Sequence, residues 1–246
     1  MSQTHIFYSM LVAFTLHTAH ASDTQPLYTP DNTQFAFDFH DVVVQHNNSR
    51  ISRGVLSKNF VSAIRFNRYL PGLFLALASA AYNDLKGGTG EMYIKILQDY
   101  QQPEIAQLVL DIANDLQPIE DTVAIIKELK SLGYEINIAS DIGTSVLHNL
   151  HSKPAYQALL SLFDHEKSVD YINAIGKPIK KPQLAYFASY LQRFQDGKEY
   201  VIFIDDKEKN VIGARQAGMI GITFKNPQQL RDVLVRMGIL TATSTH

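Results

Sequence analysis

Three short apolar runs in this chain end in oxygen-bearing side chains, and a lysine stands between the second and the third. FAFDF closes on Asp38, with His40 and Asp41 just beyond; EINIAS closes on Ser140, with Asp141 next; YVIFIDD closes on Asp205 and Asp206. Lys181 sits in IKKP, before the helical run that leads to the last of these. A carboxylate buried without a partner is too costly to be accidental, so either a cation neutralises Asp38 or its strand has just emerged into a site. Carboxylates from two strands, a hydroxyl and a lysine suit a place shared by a divalent cation and a phosphate. Hard oxygen ligands favour magnesium, which takes one or two carboxylates together with substrate oxygens. A carboxylate left free could act as a nucleophile on phosphorus.

The elements that would position these groups follow from periodicity. Phe35, Phe37 and Phe39, followed by Val42 to Val44, are strong strand formers, and so short an apolar run suits a strand buried on both faces. Between Asn47 and Leu116 the spacing turns helical, in VSAIRFNRYL, LFLALASAAYNDL, EMYIKILQDY and PEIAQLVLDIANDL, broken at Pro71-Gly72, Gly87-Gly88 and Pro103. GGTGE at Gly87 lacks the Gly-Lys-Ser/Thr ending of a phosphate loop and lies between helices, so it reads as a connecting loop. From Thr122 helices alternate with short apolar strands: TVAIIKELKSLG, YEINIAS, helical segments to Phe163, LAYFASYLQRF, YVIFIDD, KNVIGARQAG and GITF. That alternation predicts a parallel sheet with helices on both faces, in which Phe35 opens the first strand. The all-helical stretch, residues 45–116, is then an inserted cap between the first strand and the rest of its sheet. The α/β core comprises residues 33–44 and 117–240. In open α/β sheets the ligand site lies outside the C-terminal ends of the strands, where the polar runs end.

Composition narrows the partners. The 22 basic and 24 acidic residues are spread evenly, so no basic stripe argues for nucleic acid and no polybasic segment for anionic lipid. Cysteine is absent, which excludes disulfides, thiolate nucleophiles and cysteine-bound zinc. Ile6 to Leu16 is apolar but too short to span a bilayer, and Ala19-His20-Ala21 follows as an A-x-A cleavage pattern. Residues 1–21 therefore read as a signal peptide on an exported protein, periplasmic or secreted, with no membrane span in the mature chain. The amino-terminal MSQTH carries no lysine or arginine, and a weakly apolar leader on a cytoplasmic protein is the alternative.

The four polar stretches, taken in order, resemble the motifs of the haloacid dehalogenase superfamily, particularly its phosphatase-like members with a helical cap inserted after the first motif. VIFIDDKEKNVIGARQAGMIGITF is similar to the fourth motif almost position by position; KPQLAYF resembles the third, INIASD the second and FDFHDVV the first. The resemblance implies a Rossmann-like core. It also implies Asp38 as nucleophile, Ser140, Asp141 and Lys181 as phosphoryl-binding residues, and magnesium held by Asp38, Asp205, Asp206 and the backbone carbonyl of His40. Lys177 or Lys180 would take the place of Lys181 if the alignment slips. Family phosphatases carry a second aspartate where this chain has His40, and usually glycine where it has Asp41. His40 is thus the expected acid/base. The implied activity is magnesium-dependent hydrolysis of a small phosphomonoester through an aspartyl-phosphate. Dehalogenase or C–P hydrolase chemistry is the alternative within the family. A catalytically impaired HAD-like binding protein, whose helical block recognises a partner, is the alternative from another functional class. Neither the substrate nor the oligomeric state follows from the sequence.

Overall fold

The structure is a computed structural model and describes residues 27–46, 116–142, 144–167 and 179–242. The leader at 1–21, Lys177 and nearly all of the 45–116 helical block, GGTGE included, lie outside the described residues.

The chain runs β1 (Thr33–Phe37), β2 (Val44–His46), β3 (Leu116–Pro118), α1 (Glu120–Ser131), β4 (Glu135–Ala139), α2 (Thr144–His151), α3 (Pro154–Leu160), β5 (His165–Lys167), α4 (Leu184–Phe194), β6 (Tyr200–Asp205), α5 (Glu208–Gln216), β7 (Ile220–Thr223) and α6 (Pro227–Arg236). Five strands form a parallel sheet in the order β5-β4-β1-β6-β7. Outside it, β2 and β3 pair antiparallel, Val44 with Pro118 and His46 with Leu116, so the chain leaves and re-enters this region as a two-stranded ribbon. Among the described residues no helix is long and apolar enough to cross a membrane.

The central position of β1 explains its composition. Every residue of β1 is buried, and alternate side chains serve opposite cores. Phe35, Phe37, Ile136, Ile138, Ile202 and Ile204 face one side, where α1 adds Val123, Ile125, Ile126 and Leu129 at helical spacing. Ala36, Ala139, Val201 and Phe203 face the other, against Tyr186, Phe187 and Tyr190 of α4. The small Ala36 and Ala139 leave room for those three rings. Acidic Glu120 and Asp121 open α1 and Lys130 closes it, each of the sign the helix dipole favours.

Two expectations need correction. FAFDFHDVVV is not one strand: β1 stops at Phe37, and the chain reverses through Phe39–Val43 before β2. Val43 and Val44 N–H both donate to the Phe39 carbonyl, and Asp41 N–H donates to Val44 O with Asp41 at φ 61°. The valines are buried because the turn folds them inward. The sheet also has an edge strand, β5, in a stretch with no apolar pattern. Its pairing is supported by side chains: Asn137 Oδ1 accepts His165 N–H at 3.0 Å, and Asp164 Oδ2 accepts Ile136 N–H at 2.9 Å.

Candidate functional site

Parallel pairing of β4, β1 and β6 sets their C-terminal ends side by side, and each end delivers one part of the site. Asp38 follows β1, anchored by its N–H on Ile204 O at 2.8 Å, with its side chain buried. Its Oδ1 accepts the Phe39 N–H at 2.7 Å and lies 2.9 Å from Lys181 Nζ. The Ser140 hydroxyl, from the end of β4, also hydrogen-bonds Asp38. Lys181 Nζ donates to Asp205 Oδ2 at 2.7 Å and to Ala139 O at 3.1 Å, and lies 5.5 Å from the Phe203 ring centroid. Asp141, half-buried, accepts the Lys181 N–H at 3.1 Å.

Lys181 reaches this place because α5 can approach the loop that carries it. A methyl group on Gly213 would lie 2.5 Å from the Pro182 carbonyl oxygen and 2.8 Å from Phe187 Cε2, so only glycine permits this packing.

The adjacent acids at the end of β6 differ. Asp205 is fully buried and saturated with donors: Lys181 Nζ, the Lys207 N–H at 2.8 Å, and Asn210 Nδ2 at 3.0 Å from both oxygens. Asp206 Oδ1 is buried with no hydrogen-bond partner, and the Lys207 ammonium is 3.9 Å away. Asp38, Asp205 and Asp206 each offer a carboxylate oxygen, all within 4.8 Å of one another. Three carboxylates, one of them presenting an orphaned buried oxygen, fit a hard divalent cation. Asp205, whose oxygens already accept four hydrogen bonds, is best placed to orient Lys181, leaving Asp206 and Asp38 to face the cation.

The electrostatics follow from burial and pairing. Burial pushes the Asp38 carboxyl up, but the Lys181 ammonium, the Ser140 hydroxyl and the Phe39 N–H outweigh it and hold Asp38 below the usual carboxylate range. Burial would lower Lys181, yet Asp38, Asp205 and Asp141 together raise it. Burial leaves Asp205 and Asp141 above the ordinary carboxylate value despite Lys181. The group therefore contains an ionised carboxylate beside a fixed ammonium.

Asp38, Ser140, Asp141, Lys181, Asp205 and Asp206 thus lie together at the strand ends. The ring of His40 is half-buried and packs edge-on to Phe39, centroids 5.7 Å apart, while its backbone bridges to Val44. Asp41, exposed, adopts the left-handed conformation that glycine accepts most easily and aspartate better than most residues. Two residues went unnoticed as site members. Asn210 could have been found from its place in the first turn after Asp205-Asp206. Tyr186 gave no signal, since in LAYF it reads as an ordinary core aromatic. A cavity of about 630 Å³, bordered by His151, His165, Glu166 and Phe194, lies along β5 and shares no residue with the site.

The haloacid dehalogenase-like hydrolase family matches residues 34–218. The chain belongs to that family. It is 28% identical over 119 residues to the sesquiterpene phosphatase astK of Aspergillus oryzae, covering 48% of this chain and 57% of that protein. It is 32% identical over 87 residues to the drimenol cyclase drtB of Aspergillus calidoustus, covering 35% of this chain and 16% of the other. The chain thus spans little over half of the first relative and a small part of the second. Among solved structures it resembles a HAD family enzyme of Bacteroides thetaiotaomicron (TM-score 0.54, 16% identity, 82% of this chain and 98% of that one). The magnesium-bound HAD-hydrolase YfnB of Bacillus subtilis matches similarly (TM-score 0.54, 14% identity, 83% and 99%). So does the L-2-haloacid dehalogenase of Xanthobacter autotrophicus (TM-score 0.51, 18% identity, 85% and 84%). The family match makes the chain a HAD-like hydrolase, and the structural likenesses agree with its Rossmann-like parallel sheet.

Proposed function

We propose that this hydrolase is a magnesium-dependent phosphatase acting on a small phosphomonoester. The observation that carries the reading is Asp38: buried, ionised, bonded to Ser140 and 2.9 Å from Lys181, beside a carboxylate pair with an unpartnered oxygen. An Asp38 oxygen attacks phosphorus and the ester P–O bond breaks, while His40 in its imidazolium form protonates the departing alkoxide. Lys181 and the Ser140 hydroxyl hold the phosphoryl oxygens. The imidazole left behind then takes a proton from water, whose oxygen attacks the aspartyl-phosphate and frees Asp38 and phosphate. Magnesium bound by Asp206, Asp38 and the His40 carbonyl would offset the charge that accumulates on phosphorus oxygens. Positioning and charge stabilisation supply most of the catalysis in phosphoryl transfer, and this cluster provides both.

The phosphatase among the relatives supports this reading, and its name is the reason to include a sesquiterpenyl monophosphate among the substrates tried. The reading also takes the protein to be exported, with cleavage after Ala21; the mass of the mature chain tests this. A phosphate-release screen over phosphorylated metabolites and terpenyl phosphates, with and without magnesium, tests the activity. Magnesium-dependent turnover that Asp38→Asn abolishes is expected. His40, standing where family phosphatases have an acid, favours a dehalogenase as the second reading. Halide release from 2-haloacids with none of phosphate would establish that reading and overturn the first.

A further inference from the structure

Residues 181–186 tie themselves to the end of β4 three times. Lys181 Nζ donates to Ala139 O at 3.1 Å, Lys181 N–H to Asp141 Oδ1 at 3.1 Å, and the Tyr186 hydroxyl to Ser140 O at 3.2 Å. The first two involve residues already assigned to the site. The third comes from a ring that is fully buried in the α4 core, edge-on to Phe187 at 5.3 Å. Phenylalanine would fill that core equally well, so packing does not account for the hydroxyl. A buried phenol must find an acceptor, and this one reaches the carbonyl of the residue whose side chain bonds Asp38.

We infer that Tyr186 is a positioning residue: by fixing the Ser140 carbonyl it holds the backbone from which the Ser140 hydroxyl projects and so keeps that hydroxyl aimed at the phosphoryl group. The inference rests on the phosphatase reading. In a trans peptide the C=O and N–H point in opposite directions, so holding the carbonyl on the α4 side turns the Asp141 N–H away from α4. The carbonyl carbon is bonded to Ser140 Cα, from which the hydroxyl-bearing side chain also projects, so holding it limits how far the backbone beneath the hydroxyl can shift. Backbone pairing sets β4 beside β1 as far as Ile138, and Tyr186 and Lys181 add ties from α4 and its preceding loop to the end of β4 beyond that pairing.

The test is a double-mutant cycle in the full chain. Tyr186→Phe keeps the ring and removes the hydroxyl. It should lower kcat and kcat/KM together by about 5- to 30-fold, the usual range for one lost hydrogen bond that acts on the transition state, with magnesium binding unchanged. In a Ser140→Ala background the same substitution should cost less than about 2-fold, because the group it positions is gone. A merely structural tyrosine would lower the melting temperature while leaving the rate per folded molecule intact, and its effect would be the same in both backgrounds. Either result overturns the inference. Orthovanadate with magnesium serves as a second probe: the parent should bind it and Tyr186→Phe should bind it more weakly by a similar factor. A parent that neither cleaves any ester nor binds vanadate removes the phosphatase reading, and the inference with it. An active parent with an equally active Tyr186→Phe removes the inference alone.

Discussion

The tips of β4, β1 and β6 and the edge strand β5 both carry close polar pairs of similar length, yet they do different work. At the tips, Lys181 lies 2.9 Å from Asp38 and 2.7 Å from Asp205, with side-chain exposures of 1%, 6% and 0%. Along β5, Lys130 lies 2.6 Å from Asp164 and His151 2.7 Å from Glu166, with exposures of 31% and 36%, and of 47% and 20%. Distance alone would rank them equal. Water decides otherwise: a buried pair stands on desolvated charges, and removing one partner strands the other, whereas exposed partners are simply rehydrated. Among the described residues the site is where charge is held out of water in close pairs, and the β5 edge is where it is dispersed into solvent.

The largest test of that contrast is Lys181→Met. Asp38 and Asp205 would then face each other with no ammonium between them. Metal-free stability in a urea titration should fall by about 3–5 kcal/mol. Magnesium should recover part of the loss, because it can neutralise Asp38. A fall below about 1 kcal/mol would mean the tips are as well hydrated as the edge.

The next test separates the two acids of β6. A ligand present at 100 times its Kd stabilises the native state by about 2.7 kcal/mol, so magnesium should raise the parent's melting temperature. Asp206→Asn should remove most of that rise at little cost to the metal-free protein, since its Oδ1 has no hydrogen bond to lose. Asp205→Asn should do the reverse, destabilising the metal-free protein by uncoupling Lys181 and keeping much of the magnesium response. If both variants lose the response equally, Asp205 is a ligand in its own right.

The same contrast explains how much was legible in the sequence. The centre of the sheet could be read because β1, β4 and β6 are buried on both faces and must be apolar until they end, which makes Asp38, Ser140 and Asp205 conspicuous. His165, Glu166 and Lys167 could not be read as a strand, because the pairing of β5 is supported by Asn137 and Asp164 side chains and not by a hydrophobic pattern. Val42 to Val44 misled for the converse reason: their propensity is for strand, but the left-handed Asp41 and the Phe39 carbonyl turn them back. Tyr186 was invisible because its contribution is a single hydroxyl on an otherwise ordinary core ring.

Between the two regions lies α4, whose Tyr186 and Tyr190 are both fully buried. Burial, first of all causes, raises both phenols well above their usual value. The unfolded chain ionises its tyrosines near pH ~10, whereas the folded protein keeps these two neutral. Their contribution is therefore complete below about pH 10 and is lost as pH rises above it, by up to about 1.4 kcal/mol per pH unit for each tyrosine. Urea midpoints between pH 9 and pH 11 should fall, and Tyr190→Phe should flatten that fall. An unchanged slope would mean that Tyr190 ionises in the native state.

The smallest expected effect is at the edge itself. Asp164 makes two kinds of bond there: Oδ1 accepts Lys130 Nζ at 2.6 Å, and Oδ2 accepts the Ile136 backbone N–H at 2.9 Å. Only the second helps to bring β5 against β4. Lys130→Ala should thus lower stability by less than about 1 kcal/mol, less still in high salt, because the ammonium returns to water and the carboxylate keeps its backbone donor. Asp164→Ala should cost more than Lys130→Ala, since it leaves the Ile136 N–H without its side-chain acceptor at the strand end. The coupling energy of the pair in a double-mutant cycle should nonetheless stay below about 1 kcal/mol, and neither variant should change phosphate release. A coupling near 3 kcal/mol would place this exposed pair in the class of Lys181 and Asp38, and exposure would then no longer explain why the site and the edge differ.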